Sequence, residues 1–137
     1  MFEEIKARSE IMHQALDGLS ARQRVISHNL ANADTPGYKA REVRFEDTIK
    51  SKIRALSGEN VDLAQTDPRH ISLNQDDQRH YTIHEMMGQM RNDRNGVDME
   101  QEVTRMAHAQ MTYAAVSQQL AGSFAGLKYV ISEGGRG

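Results

Sequence analysis

The chain of 137 residues contains no cysteine, no tryptophan and only two prolines, and its formal net charge is −2. Without cysteine there is no disulfide, no thiolate metal site and no cysteine nucleophile. With aromatics at 5%, a stacking platform for bases or sugars is not available. The basic residues are scattered among acids, so no concentrated positive surface forms and nucleic acid is not an expected partner. No apolar run approaches the ~18 residues that would span a bilayer. The opening MFEEIKARSE also lacks the basic start and apolar block of a cleaved secretion signal. Neither direct membrane insertion nor the ordinary secretory route is expected.

What is present is concentrated at the two ends. Steps of three and four from the N-terminus pick out Phe2, Ile5, Ser9, Met12, Leu16, Leu19, Gln23, Ile26, Leu30 and Ala33, all apolar but Ser9 and Gln23. The same steps near the other end pick out Met99, Val103, Met106, Gln110, Tyr113, Ser117, Leu120, Phe124, Leu127 and Ile131. An average step of 3.5 residues is the spacing of a coiled-coil seam. The expected organisation is therefore an N-terminal coiled-coil helix over 1–33, a turn and irregular middle over 34–96, and a C-terminal coiled-coil helix over 97–137. At 1.5 Å per residue both helices come to about 50 Å, well beyond the 11 or 12 residues of an average helix, which favours a surface that associates over an ordinary bundle core.

Local chemistry writes the boundaries. Pro36 pushes Thr35 out of the helical region and Gly37 supplies a positive φ, so Thr35-Pro36-Gly37-Tyr38 reads as a type II turn. Asn95-Gly96 is a turn signal, and Asp98 with Gln101 three residues on resembles a capping box opening the last helix. Gly18, the weak interior position of the first helix, is either a local cost or the mark of a close neighbour. Ala121, Gly122, Ala125 and Gly126 make a smooth strip where another helix could approach.

The middle is harder to read. Residues 40–53 fit a strand over 40–45 or a short helix from about Phe45, the helix being preferred. Residues 55–77, with Asp67-Pro68, read as a loop, and 80–91 as a short helix with Ile83, Met86, Met87 and Met90 on one side. The fold class that results is mainly α: two terminal heptad helices packed as an antiparallel hairpin, with a largely irregular middle containing short helices or a small strand pair. A hairpin of this size cannot bury both stripes alone, so full stability is expected only when neighbours cover the remainder.

Catalytic and metal signals are weak. His80 and His84 are four apart with Glu85 adjacent, but a closed metal site needs further ligands, and exposed or capping roles are the better reading for these and for His13, His28, His70 and His108. Adjacent Asp76 and Asp77 point to opposite sides of an extended backbone and cannot flank one bond. Met12, Met99 and Met106 lie on the seams, where methionine fills packing gaps. No catalytic residue and no cofactor is expected; a zinc enzyme using His80 and His84 is the rival of a different class.

The string SHNLANADTPGYK, ending a heptad helix, resembles the signature of bacterial flagellar axial proteins, which comprise rod, hook and hook-associated subunits. It places the family motif on Asn29, Leu30, Ala31, Asn32, Thr35, Pro36, Gly37 and Tyr38. The segments QTDPRHISL and NGVDMEQEV, the latter carrying Val97, Asp98 and Glu102, are similar to those of the proximal rod proteins of the basal body, over nearly the whole chain. The resemblance implies a structural subunit of that rod, in the periplasmic space, exported through the flagellar type III apparatus and polymerising to carry torque in motility. Implied partners are other copies of the chain, other rod proteins, the export gate, and the membrane ring or its adaptor. Asn29 and Asn32 would then fix register by bonding backbone, and Ile5, Met12, Leu16, Leu19, Ile26, Val103, Met106, Tyr113, Leu120, Phe124 and Leu127 would be the assembly seams. Another rod component, or a helical secretion adaptor or chaperone presenting one groove, are the remaining alternatives.

Overall fold

The computed structural model describes residues 2–57, 80–86 and 96–134. Helix α1 spans Phe2–Ala31, strand β1 Arg41–Arg44, helix α2 Glu46–Leu56, strand β2 Thr82–Glu85 and helix α3 Met99–Gly134. Glu3 and Glu4 in the first turn of α1 complement its positive end. Asp98 caps α3, its Oδ1 accepting from the Gln101 N–H at 3.2 Å.

Two contacts fix the direction of the long helices. Asn29 Nδ2 lies 2.9 Å from Glu102 Oε2, and the His13 and Phe124 rings are 6.4 Å apart. Early residues of α1 thus face late residues of α3, which makes the antiparallel hairpin the sequence predicts. The helices run for 30 and 36 residues; α1 stops two residues before the expected 33, and α3, Met99–Gly134, lies within the expected 97–137.

The stop of α1 follows the local chemistry. Asn32 Nδ2 donates to the His28 carbonyl at 2.8 Å, a side chain serving a carbonyl at the C-terminal end of the helix. The Tyr38 N–H closes the turn onto the Thr35 carbonyl at 3.2 Å, with Gly37 at φ +76°, the arrangement of a type II turn.

The middle departs from expectation in three places. The choice between strand and helix over 40–53 resolves into both, β1 followed directly by α2. Ala55 and Leu56, assigned to a loop, close α2. The helix expected over 80–91 is instead strand β2, paired antiparallel with β1 in the register Arg41↔Glu85, Glu42↔His84, Val43↔Ile83 and Arg44↔Thr82. Ladder bonding to a strand distant in sequence outweighs the three-and-four spacing of the methionines, and β-branched Thr82 and Ile83 suit the pleat. Met87 and Met90, the loop over 58–77 with Asp67-Pro68, Asp76 and Asp77, His70 and Asn95 lie outside the described residues.

The core sits where this hairpin meets α1. Leu19, Ala21, Val25, Val43 and Phe45 form one buried cluster, with Ala15, Ile49, Tyr81 and Val116 packed against it. Phe45 presses on Gly18 so closely that a Cβ there would lie 2.5 Å from its ring. Gly18 is therefore a contact point, the second of the two readings open to it. Arg22 caps the other face of this packing, its guanidinium 4.7 Å from the Phe45 centroid, with Nη2 donating to the Val43 carbonyl at 2.7 Å and to Glu46 Oε1 at 2.5 Å. A smaller cluster of Ala33, Ala40 and Val97, flanked by Tyr38 and Met86, holds the turn against the start of α3.

Candidate functional site: a polar clamp and an uncovered stripe

Asn29 is the largest fully buried side chain, at 0% exposure, and every polar atom of its amide is used. Nδ2 donates to the Arg41 carbonyl at 2.8 Å and to Glu102 Oε2 at 2.9 Å. Oδ1 accepts from the Arg41 N–H at 2.9 Å and from the Tyr38 hydroxyl at 3.1 Å. The amide thus pairs with both main-chain groups of Arg41 as a neighbouring strand would, and ties α1, the turn, β1 and α3 to one another. A buried amide satisfied on all sides fixes one register, because any slip strands several polar groups without partners.

Glu102, 2% exposed, receives Asn29 on one oxygen and Arg105 Nη1 on the other at 2.8 Å. Arg105 Nη1 also lies 3.2 Å from Met86 Sδ, and the Met86 N–H donates to the Ala40 carbonyl at 2.8 Å. The network therefore runs from the turn to the end of β2. Beside it Gly96 bridges Lys39, and a Cβ at that position would meet the Tyr38 carbonyl oxygen at 2.6 Å. Val97 is buried next to it.

Of the signature residues, Asn29, Tyr38 and the Thr35-Pro36-Gly37 turn are brought together here. Leu30 is half-buried, Ala31 exposed, and Asn32 spent on the helix end. The sequence names Glu102 within the second motif but not as the partner of Asn29, and it does not point to Arg41 or Arg105. Arg41 contributes main-chain atoms, which leave no trace in side-chain type. Arg105 is one basic residue among many. Glu102 did carry a signal, since it stands one heptad before Ala109 and two before Val116 on the face that α3 turns to α1.

The carboxyl of Glu46 is shifted by its surroundings. Burial alone would raise its carboxyl, but the Arg22 hydrogen bond, the Phe45 and Glu46 N–H groups and the Arg22 charge more than offset this, leaving it below its ordinary value of 4.5. The His80 and His84 pair lies not on a helix but at the approach to β2 and within it, with His84 Nε2 2.8 Å from Thr82 Oγ1.

The seams divide unequally. On α1, Leu19 and Ile26 are buried and Ile5, Met12 and Leu16 half-buried. On α3 the face against α1 is carried by Glu102, Ala109, Val116 and Leu120, with Met106 and Leu127 partly covered. This line is rotated by one residue from the expected seam over most of its length. The remainder of that seam is less covered: Val103 is 55% exposed and Ile131 70%, Met99 and Tyr113 are exposed, as is Met111 at 66%, while Phe124, 48% exposed, keeps its ring contact with His13 of α1. From Met106 to Leu127, α3 carries no Asp, Glu, Lys or Arg on any face. A helix that contacts its own chain on one side only, yet has no charge on the other, is built to be covered there too.

A register-locked helical hairpin that leaves apolar side chains of α3 uncovered has the character of a structural subunit. Residues 13–39 match a family model described as flagella basal body rod protein. The chain is 30% identical over 123 residues to flagellar basal body rod protein FlgB of Bacillus subtilis, covering 90% of this chain and 92% of that protein. It is also 30% identical to the FlgB proteins of Yersinia enterocolitica, over 98% of this chain and all of that one, and of Escherichia coli, over 98% and 99%. The chain belongs to the FlgB family of flagellar basal body rod proteins. No helix among the described residues is long and apolar enough to cross a membrane.

Proposed function

We propose that the chain polymerises through its terminal helices as a subunit of the proximal rod, carrying torque and performing no chemistry. The observation that carries this reading is the half-covered α3. One face is locked to α1 by the Asn29 and Glu102 clamp, while the apolar line through Val103 and Ile131, with Met111 beside it, is left open. Copies of the chain and adjoining rod proteins cover that line, and a heterologous contact of this kind propagates as a helix of subunits. The signature residues act one step back from the interface. Asn29, Tyr38 and the Thr35-Pro36-Gly37 turn fix how β1 and the start of α3 at Val97 and Asp98 sit on α1, so that every copy presents the same outer surface. The export gate, and the membrane ring or its adaptor, meet the end of the assembly.

Leu120 is buried within the chain, so aspartate there breaks folding and assembly together. Val103 and Met111 separate the two. Val103→Asp with Met111→Asp leaves the circular dichroism of the free chain unchanged, while the variant is absent from purified basal bodies and cells do not swim. Normal swimming with the doubly substituted chain in the rod contradicts the reading.

A further inference from the structure

The outer face of α1 carries a second, electrostatic device that the apolar stripe does not explain. Glu3, Glu10, Asp17 and Arg24 recur every seven residues, so they lie along one line of the helix, and all four are exposed. Among the described residues none of the four has an ion-pair partner, although Lys6 stands beside the first two. The line runs into an open groove between α1 and the β-hairpin, with room for about 470 Å³. Its walls include Arg24, His28 and Arg41 with Tyr38 and Tyr81, over a floor of Ala21 and Val25. Among the described residues no carboxylate lines it, and the side chains of Arg24, His28 and Arg41 have no ionic partner there. One end of α1 thus bears unpaired cations around a recess, and the rest of the same line bears unpaired acids.

Resting on the reading that the chain self-assembles, we infer that the acidic line of α1 in one copy seats against the basic groove of a second copy. The two patches differ, so the contact is heterologous and does not close on itself. Each copy offers its acids to one neighbour and its groove to the next. Because the acids are spaced by about 10.5 Å along the helix, whichever of them meets Arg24 sets the axial offset between copies: about 10, 21 or 31 Å for Asp17, Glu10 or Glu3.

The absence of native cysteine makes this directly testable in assembled basal bodies. Arg24→Cys is combined in turn with Asp17→Cys, Glu10→Cys and Glu3→Cys, and the particles are oxidised. Two such cysteines on one helix are too far apart to bridge within a chain, since a disulfide requires Cα atoms within about 7 Å. One of the three pairs is expected to give dimers, trimers and longer ladders, whereas Arg24→Cys alone stays monomeric, because the contact brings Arg24 to an acid position of the neighbour and not to its Arg24. In parallel, Arg24→Glu abolishes swimming, and the reversal Asp17→Arg or Glu10→Arg in the same chain restores it. The inference is overturned if all three cysteine pairs fail to cross-link in rods that contain the chain, or if Arg24→Glu enters rods as well as the unsubstituted chain. Absence of the unsubstituted chain from basal bodies would overturn the assembly reading instead.

Discussion

Asn29→Asp changes one atom of the clamp and keeps its volume. The amide nitrogen that donates to the Arg41 carbonyl at 2.8 Å and to Glu102 Oε2 at 2.9 Å becomes an oxygen facing two acceptors, one of them charged. The bonds accepted from the Arg41 N–H and the Tyr38 hydroxyl survive. Two lost hydrogen bonds account for about 1–3 kcal/mol, and the carbonyl and carboxylate left unsatisfied in a buried site add about as much again. A loss of about 3–5 kcal/mol is expected near neutral pH, a large part of the 5–15 kcal/mol typical of a whole domain. Asn29→Ala removes all four bonds and leaves all their partners unsatisfied, and by the same reckoning is expected to cost at least as much. Urea titration of the free chain followed by circular dichroism at 222 nm reads the difference. An Asn29→Asp chain within 0.5 kcal/mol of the unsubstituted protein would refute the claim that this amide locks the two terminal helices.

Glycine to alanine should have opposite signs at two helix positions. At Gly18 the new methyl collides with the buried Phe45 ring, and overpacking of about 1–3 kcal/mol outweighs the helix-propensity gain of about 1 kcal/mol. At Gly122 nothing lies within 4 Å of the new Cβ, so the free chain gains up to about 1 kcal/mol; thermal melts of both variants check this. For Glu46, whose carboxyl is held below its ordinary value, the stabilisation is present above the unfolded-state pKa and lost as pH falls through the folded one. The stability gap between the unsubstituted chain and Glu46→Gln should therefore close on acidification below about 4.5, measured by denaturant midpoints across pH; a gap that widens would contradict the Arg22 pairing.

What could be read in the sequence was whatever local chemistry decides. Pro36 and Gly37 dictate the turn wherever the chain goes afterwards, Asp98 caps the helix that follows it, and the two stripes announce long amphipathic helices. What could not be read depends on residues far apart. β2 exists because β1 offers it a ladder, and the spacing of Ile83 and Met86 is silent about that. Likewise, a stripe on α3 marks every apolar line but not which line α1 will cover; Glu102 draws α3 round by one residue because its carboxylate must reach Asn29. The middle of the chain, poor in apolar residues, nonetheless supplies Val43 and Phe45 to the core, since two well-placed side chains suffice where Gly18 lets a ring sit against the helix.

On the proposed reading, the outer line of α3 is open in the free chain and covered in the rod. In a protein with no native cysteine, Val103→Cys gives a single thiol on that line, and its rate of maleimide labelling can be compared between the purified chain and isolated basal bodies. Rapid labelling of the free chain and protection of the thiol in the basal body is the predicted result. Equal, rapid labelling in both states would contradict the account.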